Sequence, residues 1–165
     1  MCGISGIVNF NQAPVSEGPL RQMMETMKYR GIDDSGVFTD RSVGFGYVRL
    51  SIIDLSMDAH QPMEDSTGRY VLVFNGEIFN YLELKEELKS KYPFKTKSDS
   101  EVLLAAYIVW GKACLDKFNG MWAFAIYDKL EQTVFLARDR FGEKPLYYYQ
   151  TKNEFIFASD IKAIQ

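Results

Sequence analysis

The chain has 165 residues, enough for one domain with its own core, and its 47% apolar and 25% charged residues are ordinary for a soluble globular fold. Nineteen Lys and Arg against 22 Asp and Glu leave a net charge of -3, which gives no general attraction to nucleic acid or to anionic lipid. Two cysteines and one histidine make neither a disulfide framework nor the usual zinc clusters, and there is no apolar run of bilayer-spanning length and no secretory signal, so a reduced, cytoplasmic compartment is expected.

Residues 2–10, Cys-Gly-Ile-Ser-Gly-Ile-Val-Asn-Phe, read as a strand with Ile4, Val8 and Phe10 on the face of Cys2 and Ile7 on the other. Gly3 and Gly6 are poor strand formers, which implies that something approaches the backbone closely there. Pro19 opens a helix in which Leu20, Met23, Met24 and Met27 recur at helical spacing, with Lys28 and Arg30 suited to its C-terminal end before Gly31. Residues 30–36 form a polar loop and 37–50 a glycine-punctuated pair of strands. A short apolar run follows at 51–55, and a long loop at 57–69. Residues 70–74 are a β-rich strand that the turn dipeptide Asn75-Gly76 is expected to end.

Asn80 with Glu83, and Ser98 with Glu101, each supply a helix N-cap and its third-position partner. The first of these helices runs towards Lys91 before Pro93 breaks it. The second carries Val102, Leu103, Ala106, Tyr107 and Trp110 and ends at Gly111. From Asn119-Gly120 onward, strands at 121–128, 133–138, 145–150 and 154–158 follow one another, with short turns at 129–132 and 151–153. Strands at both ends with two adjacent helices between them exclude a regular βαβ alternation and predict antiparallel sheets covered by helices. A helical start at 160–165 breaks off early, which makes a longer parent chain the expectation.

Chemistry begins at Cys2, whose small side chain beside Met1 normally permits removal of the initiator methionine. The exposed residue would carry a thiol and an α-amine with ordinary pKa values near ~8.5 and ~7.7–8.0, so the amine can take the thiol proton and one residue can serve as nucleophile and base. The plain alternative is a small residue at a frayed terminus. Any Cys–His dyad must use His60, yet a loop histidine is more commonly a surface or packing residue. Cys114, after a helix end and before Leu115, reads as a small buried hydrophobe. The Asn75 amide and the Gly76 N–H are able to point at one oxygen, as an oxyanion hole requires, although the dipeptide by itself favours a tight turn. Arg49 is suited to a carboxylate and Asp99 to an ammonium, a pair that would clamp an amino acid, with a surface charge and a helix cap as the competing readings. Asp33-Asp34, without further spaced ligands, is a weak metal signal.

Seven blocks recur in order: Met1-Cys-Gly-Ile-Ser-Gly-Ile-Val, Arg30-Gly-Ile-Asp-Asp-Ser-Gly, Arg49-Leu-Ser-Ile-Ile-Asp-Leu-Ser, Asn75-Gly-Glu-Ile-Phe-Asn-Tyr, Ser98-Asp-Ser-Glu, Asn119-Gly-Met-Trp-Ala-Phe-Ala and Arg138-Asp-Arg-Phe-Gly-Glu-Lys-Pro-Leu-Tyr-Tyr. Together, over residues 1–162, they closely resemble the N-terminal glutaminase domain of glutamine-hydrolysing asparagine synthetases, which are class II glutamine amidotransferases. The resemblance implies one domain over residues 1–165 with an α+β fold of the N-terminal nucleophile hydrolase type: a four-layer sandwich of two antiparallel sheets flanked by helices, lacking its last strands.

It further implies that Cys2 attacks the side-chain amide of L-glutamine with its own amine as base, while Asn75 and the Gly76 N–H hold the oxyanion. Ammonia leaves, and water frees glutamate from a γ-glutamyl thioester. Arg49 matches the holder of the substrate carboxylate, Leu50, Ser51, Ile52 and Ile53 line the site, and Glu77 and Asp99 receive the α-amino end. No cofactor or metal is expected for this step. A C-terminal synthetase domain or subunit, with Mg and with ATP bound through a Ser-Gly-Gly-x-Asp-Ser loop, is the expected partner that makes asparagine from aspartate and the ammonia. No segment of these 165 residues resembles that loop. Neither nucleic acid nor a membrane is an expected partner, and a homodimer is one form the assembly takes in this reading. The resemblance leaves two other functions open: an amidotransferase with a different acceptor, and a non-catalytic glutamine-binding module. The chain also departs from the family. Ile32 stands where the block carries proline, Tyr47-Val48 where histidine and a polar or basic residue are common, and Glu143 where an apolar residue is common. None of the three is expected to touch the groups around the sulfur.

Overall fold

Two sheets that are each covered on both faces need strands with apolar side chains in both directions, and this chain supplies them residue by residue. A computed structural model describes residues 1–50 and 60–165. In chain order the elements are β1 (Gly3–Asn9), α1 (Glu17–Thr26), β2 (Asp34–Asp40), β3 (Val43–Arg49), β4 (Met63–Glu64), β5 (Tyr70–Ile78), α2 (Tyr81–Leu88), α3 (Asp99–Trp110), β6 (Gly120–Asp128), β7 (Thr133–Arg138), β8 (Tyr147–Gln150) and β9 (Glu154–Ala158). Every strand pair is antiparallel; β2-β3-β1-β9-β8 make one sheet and β4-β5-β6-β7 the other.

Three apolar layers hold the stack together. Between the sheets, Ile4, Phe45, Tyr47 and Phe157 meet Val71, Val73, Ala125 and Tyr127. Outside the first sheet, Ile7, Val48 and Ala158 pack with Leu20, Met23, Met24 and Met27. Outside the second, Leu72, Phe74, Phe124 and Ile126 pack with Leu84 and Leu88 of α2 and Val102, Leu103 and Ala106 of α3. The result is the expected α+β sandwich of four layers, helix, sheet, sheet and helix pair. Among the described residues, no helix is long and apolar enough to cross a membrane.

Within β1 the two faces divide as expected, with Ile4 towards the second sheet and Ile7 towards α1. Phe10 lies past the end of the strand and is exposed. The glycines earn their place by contact: a Cβ on Gly3 would lie 2.8 Å from Val48, and one on Gly6 2.3 Å from the ring of Phe157. The Met-rich helix buries Leu20, Met23 and Met24, but it starts at Glu17, two residues ahead of Pro19.

Several boundaries differ from the sequence reading. β2 begins at Asp34, inside the expected polar loop, because Asp34 pairs with Arg49 at the far end of the hairpin. The long loop contains the short strand β4. The apolar run at 51–55 and the first residues of that loop, 57–59, lie outside the described residues. β5 does not stop at Asn75-Gly76: it continues to Ile78, with Asn75 opposite Ala123 and Gly76 opposite Trp122 in the ladder with β6. Long-range pairing overrides the local turn preference, and close packing favours glycine here, because a Cβ on Gly76 would sit 2.3 Å from the Met121 carbonyl oxygen. α2 ends at Leu88, short of Lys91. Ser98 caps α3 by accepting from the Ser100 N–H at 3.0 Å. Glu101, instead of closing a capping box, accepts the N–H groups of Lys95 and Thr96. Asn80 likewise makes no side-chain cap; its amide joins α2 to the entry of β6 through Asn119 N–H and Lys117 carbonyl.

β8 forms one edge of the first sheet and exposes Tyr147, Tyr148 and Tyr149. The loop before it is organised by Asp139, whose carboxylate accepts from the N–H groups of Trp122, Phe141, Glu143 and Lys144.

The close approach at Gly6 predicts a specific sensitivity. Phe157 is fully buried and packs edge-on against Phe45, so its ring has nowhere to retreat. Gly6→Val is expected to lower stability by about 1–3 kcal/mol in urea unfolding; an unchanged midpoint would show that the two sheets separate more easily than this packing implies.

Candidate active site

Strand alternation gathers the polar residues at one end of the layer between the sheets. β1 and β3 lie side by side with Ile4 opposite Tyr47 and Gly3 opposite Val48. Ile4 and Tyr47 face the intersheet layer, so Cys2 and Arg49, two residues removed from each, turn to the same side. In the second sheet Val71 and Val73 face that layer, and Asn75 and Glu77 follow them by the same parity. Cys2 packs against the edge of this layer, half-buried, whereas Arg49 and Asn75 are buried at 5% and 1% exposure.

The Cys2 sulfur sits among three polar groups. The Tyr47 hydroxyl donates to it at 3.0 Å, the Leu50 N–H approaches at 3.4 Å, and the thiol faces the Leu50 carbonyl at 3.5 Å. The Arg30 Nε donates to the Cys2 carbonyl oxygen at 3.1 Å. The expectation that none of the family departures touches these groups is therefore wrong for Tyr47. A residue directly opposite Ile4 is diagonal to Cys2, within reach of a long aromatic side chain. Burial, reinforced by the neighbouring Cys2, pushes the Tyr47 phenol well above its usual ionisation range, so it remains an O–H donor.

Asn75 and Gly76 form a second cluster of donors. The Nδ2 of Asn75 is buried with no hydrogen-bond partner among the described residues. A buried donor left unmatched costs about 1–3 kcal/mol, so an amide held this way is suited to an acceptor that arrives with a ligand. The backbone supplies a neighbour. Phe74 N–H donates sideways to Gln61 Oε1 at 2.6 Å and Ile78 N–H to Asp99 Oδ2 at 3.0 Å, so both point away from β6. Alternation along the strand turns the Gly76 N–H to the same edge, between those two. The turn reading of Asn75-Gly76 is overturned, and the two donors it would have dispersed stand side by side.

Asp99 has a mixed role. It opens α3 and is 5% exposed, but the capping bond belongs to Ser98; Asp99 instead accepts from Ile78 N–H. Burial, with the nearby Glu77 adding to it, raises its carboxyl to about 6 despite the N–H donors. Cys114 is fully buried, and its thiol is pushed up to about 12 by burial, which leaves it inert as a nucleophile. The ring Nδ1 of His60 lies 2.5 Å from Asp34 Oδ2, an engagement that fits the packing reading. Among the described residues no group of three or more His, Cys, Asp or Glu side chains is placed to hold a metal. Ser51, Ile52 and Ile53 lie outside the described residues. Of the other departures from the family pattern, Ile32 is 79% exposed.

Two contributors escaped the sequence reading. Arg30 reads as a helix-end charge, and only the fold brings its Nε to the Cys2 carbonyl. Tyr47 reads in the sequence only as a departure away from the sulfur, and the β1–β3 register is what brings it there.

Comparison with known proteins adds independent findings. The glutamine amidotransferase domain model matches residues 1–165. The putative asparagine synthetase [glutamine-hydrolyzing] 2 of Methanocaldococcus jannaschii is 44% identical over 99% of this chain and 35% of its own length. Asparagine synthetase [glutamine-hydrolyzing] 1 of Bacillus subtilis is 44% identical over 99% of this chain and 26% of its own. The chain thus spans roughly a quarter to a third of the length of these curated relatives. Among solved structures, the glutamine phosphoribosylpyrophosphate amidotransferase of B. subtilis superposes with a TM-score of 0.82 over 99% of this chain and 43% of that one, at 21% identity. That likeness speaks for the fold alone.

The raised Asp99 carboxyl has a consequence for stability. Its folded value near 6 exceeds the 3.8 of the free side chain, so the folded chain holds this proton more tightly. Stability from this group falls as pH rises from about 4 to 6, and the full penalty, on the order of 2–3 kcal/mol, persists above that. Asp99→Asn keeps an oxygen for the Ile78 N–H and removes the charge. In urea unfolding the variant is expected to exceed the parent at pH 8, with the gap closing as pH falls towards 4; an equal gap at both ends would contradict the buried-carboxylate origin.

Proposed function

Since this chain belongs to the glutamine amidotransferase domain family, we propose that Cys2, freed by loss of Met1, is its nucleophile and that Arg49, Asn75, Gly76, Glu77 and Asp99 form its glutamine site. The single observation that carries the assignment is the buried Asn75 Nδ2, without a partner among the described residues, on the β5 face that Val71 and Val73 turn to the layer holding the half-buried Cys2 thiol.

The steps follow from the chemistry of these groups. The Cys2 α-amine takes the thiol proton, and the sulfur attacks the side-chain carbonyl carbon of glutamine. The carbonyl oxygen becomes an oxyanion, and Asn75 Nδ2 and the Gly76 N–H donate to it in a site where no rearrangement is required. As the tetrahedral adduct collapses, the α-ammonium returns its proton to the departing nitrogen, and ammonia leaves. A water then gives a proton to the amine and attacks the thioester carbon. The sulfur departs, and glutamate is released. At the far end of the substrate Arg49 holds the α-carboxylate, while Glu77 and Asp99 take the α-ammonium. A bound ammonium also relieves the penalty that burial imposes on the Asp99 charge. Leu50 borders the sulfur through its backbone N–H and carbonyl.

The ammonia acceptor is aspartate in this reading, and the product asparagine, supported by the names and greater lengths of the relatives. The synthetase part, a C-terminal domain or a subunit, supplies ATP and Mg chemistry. No step of glutamine hydrolysis in this chain is routed through either. The cytoplasm is the matching compartment, and a homodimer the matching assembly.

Intact-mass measurement with a diazo-ketone analogue of glutamine tests the assignment. The expected result is a protein without Met1 that gains one adduct, on Cys2, suppressed by added glutamine. Retained Met1, or labelling confined to Cys114, would falsify it. Asn75→Ala is expected to lower kcat for glutamine hydrolysis by ~10²–10³ while KM changes little, as loss of one oxyanion donor does; a loss confined to KM would assign Asn75 to ground-state binding instead.

A further inference from the structure

We propose that the Tyr47 hydroxyl holds the Cys2 sulfur in place and favours its anionic form, an inference that rests on Cys2 being the nucleophile. The contact is specific: the phenol oxygen lies 3.0 Å from Sγ, nearer than either polar group of Leu50. It is also rigid. Tyr47 is 2% exposed, sits opposite Ile4 in the β1–β3 ladder, and is packed into the layer between the sheets. A hydroxyl fixed this firmly donates to the sulfur without first losing rotational freedom.

The direction of its effect follows from the proton inventory. Burial comes first among the causes that push the Tyr47 phenol upward, and the adjacent sulfur comes next, so the phenol keeps its proton across the neutral range. Tyr47 is therefore a donor and not the base that activates the thiol. A donor bonded to sulfur stabilises thiolate over thiol. The thiol proton goes to the Cys2 α-amine, and Tyr47 retains its own throughout. The charges around this pair act in both directions. Arg49 on the same strand lies close enough to Tyr47 to ease its ionisation, and Asp99 from α3 opposes that. Arg30 donates to the Cys2 carbonyl, and the Lys144 ammonium, after the Asp139 loop, reaches the Met1 sulfur at 3.3 Å. Tyr47 is the described side chain with a polar atom on the nucleophilic sulfur itself.

The same bond bears on the second half of the reaction. In the thioester the sulfur carries no charge, and it recovers that charge when water displaces it. The Tyr47 donor is thus strongest for the free thiolate and for the sulfur as leaving group, so removing it slows breakdown of the acyl intermediate.

The experiment compares the parent with Tyr47→Phe, which deletes one hydroxyl and keeps the buried ring. Both proteins, with Met1 removed, are alkylated with iodoacetamide over a pH series, and the adduct on Cys2 is followed by peptide mass. Cys114, pushed up to about 12, stays unlabelled and reports that each protein is folded. The variant profile is expected to move about one pH unit higher, on the order of tenfold slower near neutrality. Superimposable profiles overturn the inference. Should the variant label at Cys114, 3-fluorotyrosine at position 47, a stronger donor on the same ring, decides: a Cys2 alkylation profile displaced to lower pH supports the donor role, and an unmoved profile overturns it. Trapping by the diazo-ketone separates the two levels, for a parent whose Cys2 is trapped but whose profile ignores Tyr47 loses only this inference, whereas a parent that is not trapped loses both.

Discussion

The inner strands of both sheets are covered on both faces, and this constraint governs the rest of the molecule. A central strand such as β5 must send Val71 and Val73 to one apolar layer and Leu72, Phe74 and Ile78 to another. Polar side chains then have little room along the strand bodies, and they gather where the layers open. Cys2, Arg49 and Glu77 are all found at such openings, at strand ends, and Asn75 joins them three residues before the end of β5. The site is thus a product of layer packing as much as of the individual residues in it. Its position follows from the register of β1 on β3, which places Tyr47 beside the sulfur, and from the parity of β5, which turns Asn75 towards the same layer.

Residues with a strong periodic signature were legible without coordinates. The Leu20–Met27 stripe, the alternation of Ile4 and Ile7, the Ser98 cap and the late succession of strands all follow from local rules, because local spacing decides which face is buried. What failed was local chemistry overruled at long range. Asn-Gly is a turn former by itself, yet here it lies within a ladder to β6 whose partners are more than forty residues away in sequence, from Gly120 to Asp128. Glu101 and Asn80 have the spacing of capping residues, but their side chains answer unsatisfied groups in neighbouring loops. In the site, the chemical type of Cys2, Arg49, Asn75 and Asp99 was readable. The roles of Arg30 and Tyr47 depended on which backbone and side-chain atoms the fold brings to Cys2, and no motif spacing encodes that.

The site also carries energetic costs that a purely structural end of a sandwich would avoid. The Asn75 amide and the Arg30 Nη2 are buried without partners among the described residues, and Asp99 is ionised only against the resistance of its surroundings. Each is unfavourable for the folded chain and favourable for a ligand that brings the missing partner. By contrast the Asp139 carboxylate, with four backbone donors, is fully engaged and serves to shape its loop. The contrast separates a carboxylate that stabilises the fold from groups whose cost the described residues leave unmatched.

The two donors of Asn75 and Gly76 come from consecutive residues, one from a side chain and one from the backbone. A slip of β5 by a single position would send the amide into the helix-facing layer and rotate the glycine N–H into the ladder with β6. Chain length can therefore vary in the turn between β6 and β7 at no cost to this geometry, whereas an insertion or deletion between Val71 and Asn75 would erase both donors together. This inner strand of the second sheet is consequently fixed in phase by its chemistry, quite apart from how well its side chains pack.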